Sequence, residues 1–239
     1  MLSAAQVREI RHKADAKRAE LGFGVYAPIG AKVFDLLDQL RILTVRFPLE
    51  DRDLDAFIGR RDGLSVVYVN TAIPRGRQHF AAAHELCHAW YDRDALADWD
   101  TICEIQDGGG TTAREMQANR FAAEFLVPKA AMENYVAMLP LHFDIVDRIV
   151  LLSDYFEVPA KTIILRLEET GSITVNRRKQ LSSDLAVYTQ RRRELGLSDS
   201  IDKPTCDRRV SPLFHAVMGK NLANGYVSRG KIDELSQLL

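Results

Sequence analysis

Two histidines four residues apart, with a glutamate directly after the first, constrain this chain more than any other feature. They stand in the stretch Gln78 to Tyr91, as His84-Glu85-Leu86-Cys87-His88. On a helix, positions i and i+4 are offset by about 40° and about 6 Å of rise, so both imidazoles project from one face. Two nitrogens can then reach one ion. Zinc suits imidazole nitrogen, and a catalytic zinc keeps a position for a water whose pKa it lowers to about 7. Glu85 lies about 100° round from His84, near enough to take a proton from that water yet off the ligand face. The competing reading is a chance match on a surface helix. The flanks oppose it: Phe80-Ala81-Ala82-Ala83, Leu86 and Ala89-Trp90 are apolar and helix-compatible, so the histidines belong to a largely buried helix. Buried imidazoles need partners.

A third ligand must come from elsewhere, and Thr112 to Pro128 is the best source. Glu115, Asn119 and Ala122 share one helical face, Phe121 and Phe125 form a neighbouring apolar stripe, and Pro128 marks the stop. Glu115 would complete a His-His-Glu set, and Asn119, one turn on, could hydrogen-bond a ligand histidine. Thr112-x-x-Glu115 also fits a capping box, which needs no metal. Cys103, between the two motif helices, offers a thiolate alternative. Asp92, four residues after His88, could orient that ring or be an exposed helix-end carboxylate.

Together these residues carry a family resemblance. Arg77-Gln78-His79-Phe80-Ala81-Ala82-Ala83-His84-Glu85-Leu86-Cys87-His88, followed by Glu115-Met116-Gln117-Ala118-Asn119-Arg120-Phe121-Ala122-Ala123-Glu124-Phe125-Leu126-Val127-Pro128, resembles the ImmA/IrrE metallopeptidases. The similarity runs on through Leu152-Ser153-Asp154-Tyr155-Phe156-Glu157-Val158-Pro159 to Gly171, covering roughly Gly30 to Ile173. The resemblance implies an α+β, mostly helical zincin-like fold with a small β-sheet preceding the HExxH helix. It implies a zinc-dependent endopeptidase with His84, His88 and Glu115 as ligands and Glu85 as general base and acid. Family members cleave helix-turn-helix repressors, which makes such a protein the expected substrate. Where the family carries Gly before the second histidine, this chain has Cys87.

The length of 239 residues, 46% of them apolar, suffices for a full core. The organisation expected is an N-terminal helix and connection at 1–29, a peptidase domain at 30–173 and a basic helical extension at 174–239. Met1 to Glu20 reads as a charged helix without the apolar core of a signal peptide, and no membrane span is present, so a cytoplasmic protein is expected. Three cysteines with no paired spacing argue against a disulfide framework.

Before the metal helix, Lys32 to Leu40 has helical apolar spacing, whereas Ile42 to Phe47 and Leu64 to Asn70 alternate as strands. Such a sheet could pair with an extended substrate. The acidic run from Glu50 to Asp55 reads as a solvated loop, and Gly108-Gly109-Gly110 as a flexible one. Lys129 to Met138 reads as a helix broken at Pro140. His142, Tyr135, Tyr91 and His79 are candidate donors to an oxyanion, and His12 and His215 read as surface histidines.

Ile149 to Gly171 mimics a helix-turn-helix, which supports the alternative of a DNA-binding or metal-stabilised regulator of a phage or toxin-antitoxin system. Its second helix is apolar and ends in Glu168-Glu169, which phosphates repel. The tail changes sign: residues 1–170 hold 20 Lys+Arg against 26 Asp+Glu, and 171–239 hold 12 against 7. Its clusters Arg177-Arg178-Lys179, Arg191-Arg192-Arg193 and Arg208-Arg209 read as solvated faces, with a docking surface as the sharper possibility.

Overall fold

Alternating apolar residues in the first third of the chain build a sheet, and the histidine helix lies on it. The computed structural model describes residues 2–51, 54–61, 63–92, 103–106 and 112–238. The strands are β1 (Leu43–Phe47), β2 (Leu54–Arg61), β3 (Leu64–Asn70), β4 (Cys103–Gln106) and β5 (Arg209–Val210), in the order β4-β2-β3-β1-β5. β2 and β3 form an antiparallel hairpin whose turn places Gly63 at φ +80°, a region side chains disfavour. β1 pairs parallel with β3, from Leu43 opposite Val66 to Phe47 opposite Asn70. Ala56, Ile58, Val67 and Val69 are fully buried under α3 (Arg75–Tyr91). The sheet is therefore not confined to the segment before the HExxH helix, because β4 and β5 follow it. Strands of four and two residues carry no readable period; the open edges of β2 and β1 recruit them. β2 itself includes the end of the expected acidic loop, and Asp55 is buried against Arg77, whose Nη2 lies 2.6 Å away.

Helices surround this unit. α1 (Ala4–Glu20) begins with a capping box in which Ser3 Oγ accepts from the Gln6 N–H and Gln6 Oε1 from the Ser3 N–H. It packs on α4 (Ala113–Leu126) through Ile10 and Ala14, and Arg18 donates to the Phe125 carbonyl at 2.7 Å. Further helices are α2 (Lys32–Gln39), α5 (Lys129–Met138), α6 (Ile145–Phe156) and α7 (Ala160–Glu169). The left-handed Glu157 closes α6, and Ile163, Ile164 and Leu167 of α7 face the core. Buried Glu124 of α4 gathers Arg166 of α7 at 2.6 Å, Arg120 at 2.6 Å and Arg11 of α1 at 3.3 Å.

The C-terminal third contains α8 (Val175–Leu181), α9 (Ala186–Glu194), α10 (Pro212–Ala223) and α11 (Arg229–Leu238). Its arginines are largely engaged within the chain. Buried Arg192 donates to Asp154 at 2.7 Å and to Ser153 at 2.9 Å, Arg191 lies 2.6 Å from Asp147, and Arg178 2.6 Å from Glu168. The start of α3 is held by this segment: the Arg75 N–H donates to the Lys203 carbonyl, and Cys206 N–H to that of Thr71. No helix among the described residues is long and apolar enough to cross a membrane.

Candidate metal centre

α3 carries His84, Glu85 and His88 into the interior because their neighbours Ala81, Ala82, Ala83, Leu86, Cys87 and Ala89 are small or apolar and buried, and all three side chains are fully buried with them. α4 crosses it and brings Glu115 in its first turn. Thr112 Oγ accepts from the Glu115 N–H at 3.2 Å, so the cap exists, but the reciprocal arm does not form. The Glu115 carboxylate turns to the histidines instead, 2.9 Å from His84 Nε2 and 3.5 Å from His88 Nε2. Cap and ligand position are thus compatible at one residue.

The Nδ1 atoms decide the ring orientations. His84 Nδ1 donates to Asn119 Oδ1 at 3.0 Å, and His88 Nδ1 to Asp92 Oδ2 at 2.7 Å. With Nδ1 protonated in each neutral ring, both Nε2 atoms present lone pairs, and they stand 2.9 Å apart beside the Glu115 carboxylate. Three electron-pair donors aimed at one point repel unless protons or one shared cation lies between them. Burial opposes the protons at His84, whose pKa it draws below the ordinary value. One donor atom from each of His84, His88 and Glu115 lies within 4.8 Å of the others, as a metal ion requires, and the donor set suits a borderline cation.

At His88, burial is outweighed by the Glu115 hydrogen bond and the nearby carboxylates, so its pKa rises. Burial also acts upward on Glu115, but both histidines hold its carboxyl well below the usual range. Glu85 is different. Both of its carboxylate oxygens are buried without a hydrogen-bond partner among the described residues, and burial pushes its pKa up to about 8. An unpaired carboxyl at the metal position is a group left for a proton and a reactant to engage.

Of the expected oxyanion donors, His79 is hydrogen-bonded elsewhere, and the other three make ring contacts that do not occupy a donor. His79 Nδ1 bonds the Glu157 carbonyl at 2.9 Å, Tyr91 packs on Phe121, Tyr135 stacks on Tyr155, and exposed His142 lies against Phe143. The Cys103 side chain and the run 108–110 lie outside the described residues. His12 and His215 are exposed, as expected. Burial raises the Cys87 thiol, which opposes a thiolate role.

A family model described as the IrrE N-terminal-like domain, Peptidase_M78, matches residues 37–168. The chain belongs to this family. In this IrrE-like chain the match spans both helices of the candidate metal centre, β1 to β3 and nearly all of α7. No curated protein matches. Among solved structures, a Mycobacterium tuberculosis transcriptional regulator aligns at 22% identity with a TM-score of 0.47. The alignment covers 67% of this chain and 47% of that one, so this chain spans about half of its length.

Proposed function

We propose that the protein is a zinc-dependent endopeptidase of the cytoplasm that cuts one bond in a specific protein, a helix-turn-helix transcriptional repressor. The observation that carries the reading is the convergence of two oriented Nε2 atoms and one carboxylate beside the unpartnered Glu85. His84, His88 and Glu115 would hold the metal, which when bound supplies Lewis-acid polarisation of a carbonyl and lowers the pKa of water. Asn119 and Asp92 keep both rings in the Nδ1–H tautomer. Glu85 takes the proton from the attacking water and passes it to the leaving amine. Membership of a peptidase family supports the reaction class; the repressor substrate is an analogy from that family. Direct DNA reading by α6 and α7 is not favoured, because α7 ends in Glu168 and Glu169, which phosphates repel.

The test pairs elemental analysis with a cleavage assay. Wild type should carry one zinc, and His88→Ala and Glu115→Gln should lose it. Glu85→Gln should keep zinc and lose cleavage of a co-expressed repressor. Metal-free wild type would refute the ligand set, and full cleavage by Glu85→Gln would refute the mechanism.

A further inference from the structure

Arg46 and Arg209 are opposite each other where β1 pairs with β5, and both reach the same carboxylate, Asp207 Oδ2, at 3.1 Å. One negative charge serves two guanidiniums. Arg46 is mostly buried, lies 4.0 Å from the Phe34 ring centroid, and its Nε has no acceptor among the described residues. Arg75 opens α3 beside them; it is half-buried and has no carboxylate partner among the described residues. Burial draws the Arg46 pKa down, Asp207 opposes this, and the charges of Arg209 and Arg75 add to the fall. The cluster is therefore short of negative charge, whereas Arg191, Arg192 and Arg193 have carboxylates of their own.

We infer that Arg46, Arg75 and Arg209 form a docking site for the carboxylates of an acidic segment in the protein that is cut. The inference rests on the peptidase reading. Guanidiniums pair with carboxylates in planar, charge-assisted geometry, and a compact cluster of three suits two or three such groups. A duplex draws on an extended row of phosphate contacts, about 6–10 for a salt-sensitive binder, which three side chains do not supply. Arg75 and His84 stand nine positions apart on α3, about 14 Å along the helix axis and about half a turn round it. The cluster would therefore hold a part of the substrate remote from the bond that is cut.

The test uses the full chain and a fluorescein-labelled peptide bearing four consecutive glutamates, with a glutamine peptide of equal length as its control. Fluorescence anisotropy at low salt should show binding of the glutamate peptide alone. Arg75→Gln with Arg209→Gln should weaken it about ten-fold, while Lys231→Gln, at an exposed cation elsewhere, should leave it within two-fold. If the double variant does not fold, Arg209→Gln alone must weaken binding about three-fold; this side chain is 71% exposed. A double variant within two-fold of wild type, or displacement of the peptide by an equimolar duplex, would overturn the proposal. Repressor cleavage is followed in parallel. Arginine-dependent peptide binding with nothing cleaved leaves the docking site standing and removes the peptidase reading; cleavage indifferent to the arginines does the reverse.

Discussion

Asn119 and Asp92 touch the imidazoles through the nitrogen that faces away from the metal position, so their effect should be on affinity and not on fold. Asn119→Ala and Asp92→Ala are each expected to weaken zinc binding about 10–100-fold, read by competition with a chromophoric chelator. Asp92→Ala should be the more damaging, since its carboxylate also stabilises positive charge on the ring. Unchanged affinity in both would mean that the rings are held by packing alone. Helical spacing put position 119 one turn from 115 and position 92 one turn from 88, which made both residues candidates but left Asp92 open between a ring contact and an exposed helix end. What spacing could not decide was whether Glu115 caps a helix or faces the histidines. The structure has it do one through its N–H and the other through its carboxylate.

At the scale of elements, Glu124 joins α1, α4 and α7 through three arginines. Burial pushes its carboxyl up, but Arg166, Arg120 and Arg11 outweigh it and hold the pKa below the ordinary 4.5. Because the folded value is the lower one, its contribution is present above about pH 4.5 and lost as pH falls through the folded value. Glu124→Gln should cost about 3–5 kcal/mol near neutrality, since it leaves buried guanidiniums short of charge. Urea unfolding at pH 7 and again near pH 3 should show that deficit shrinking in acid; equal deficits would refute the assignment. Element boundaries were legible where chemistry punctuates the chain, as at α5, which runs from the residue after Pro128 to two before Pro140. They were not legible in α9, where Ala186–Glu194 is polar apart from two small apolar residues. That helix is anchored by the buried Tyr188 ring and the Arg192 guanidinium, a pattern that no apolar period announces.

Across the whole molecule, the segment after residue 173 packs on the same body as the metal helix. Arg192→Ala should destabilise the protein by about 1.5–3 kcal/mol, because charge-assisted hydrogen bonds to Asp154 and Asp202 are lost while water reaches the carboxylates left behind. Limited proteolysis should nick the chain in α10 or α11, where no residue of α10 is fully buried, and spare 174–211. Early cutting near 174 with a stable core left behind would instead support a separate extension. The pairing of Val45 with Val210 has one more consequence, for synthesis. A ribosome adding about 5–20 residues per second releases β1 roughly ten to thirty seconds before its outer partner exists. During that interval β1 has one open edge, a template for a neighbouring nascent chain. Closing so distant a contact also makes it one of the slow steps of folding. Aggregation during expression, more than instability afterwards, is then the failure to expect of a chain truncated before residue 209.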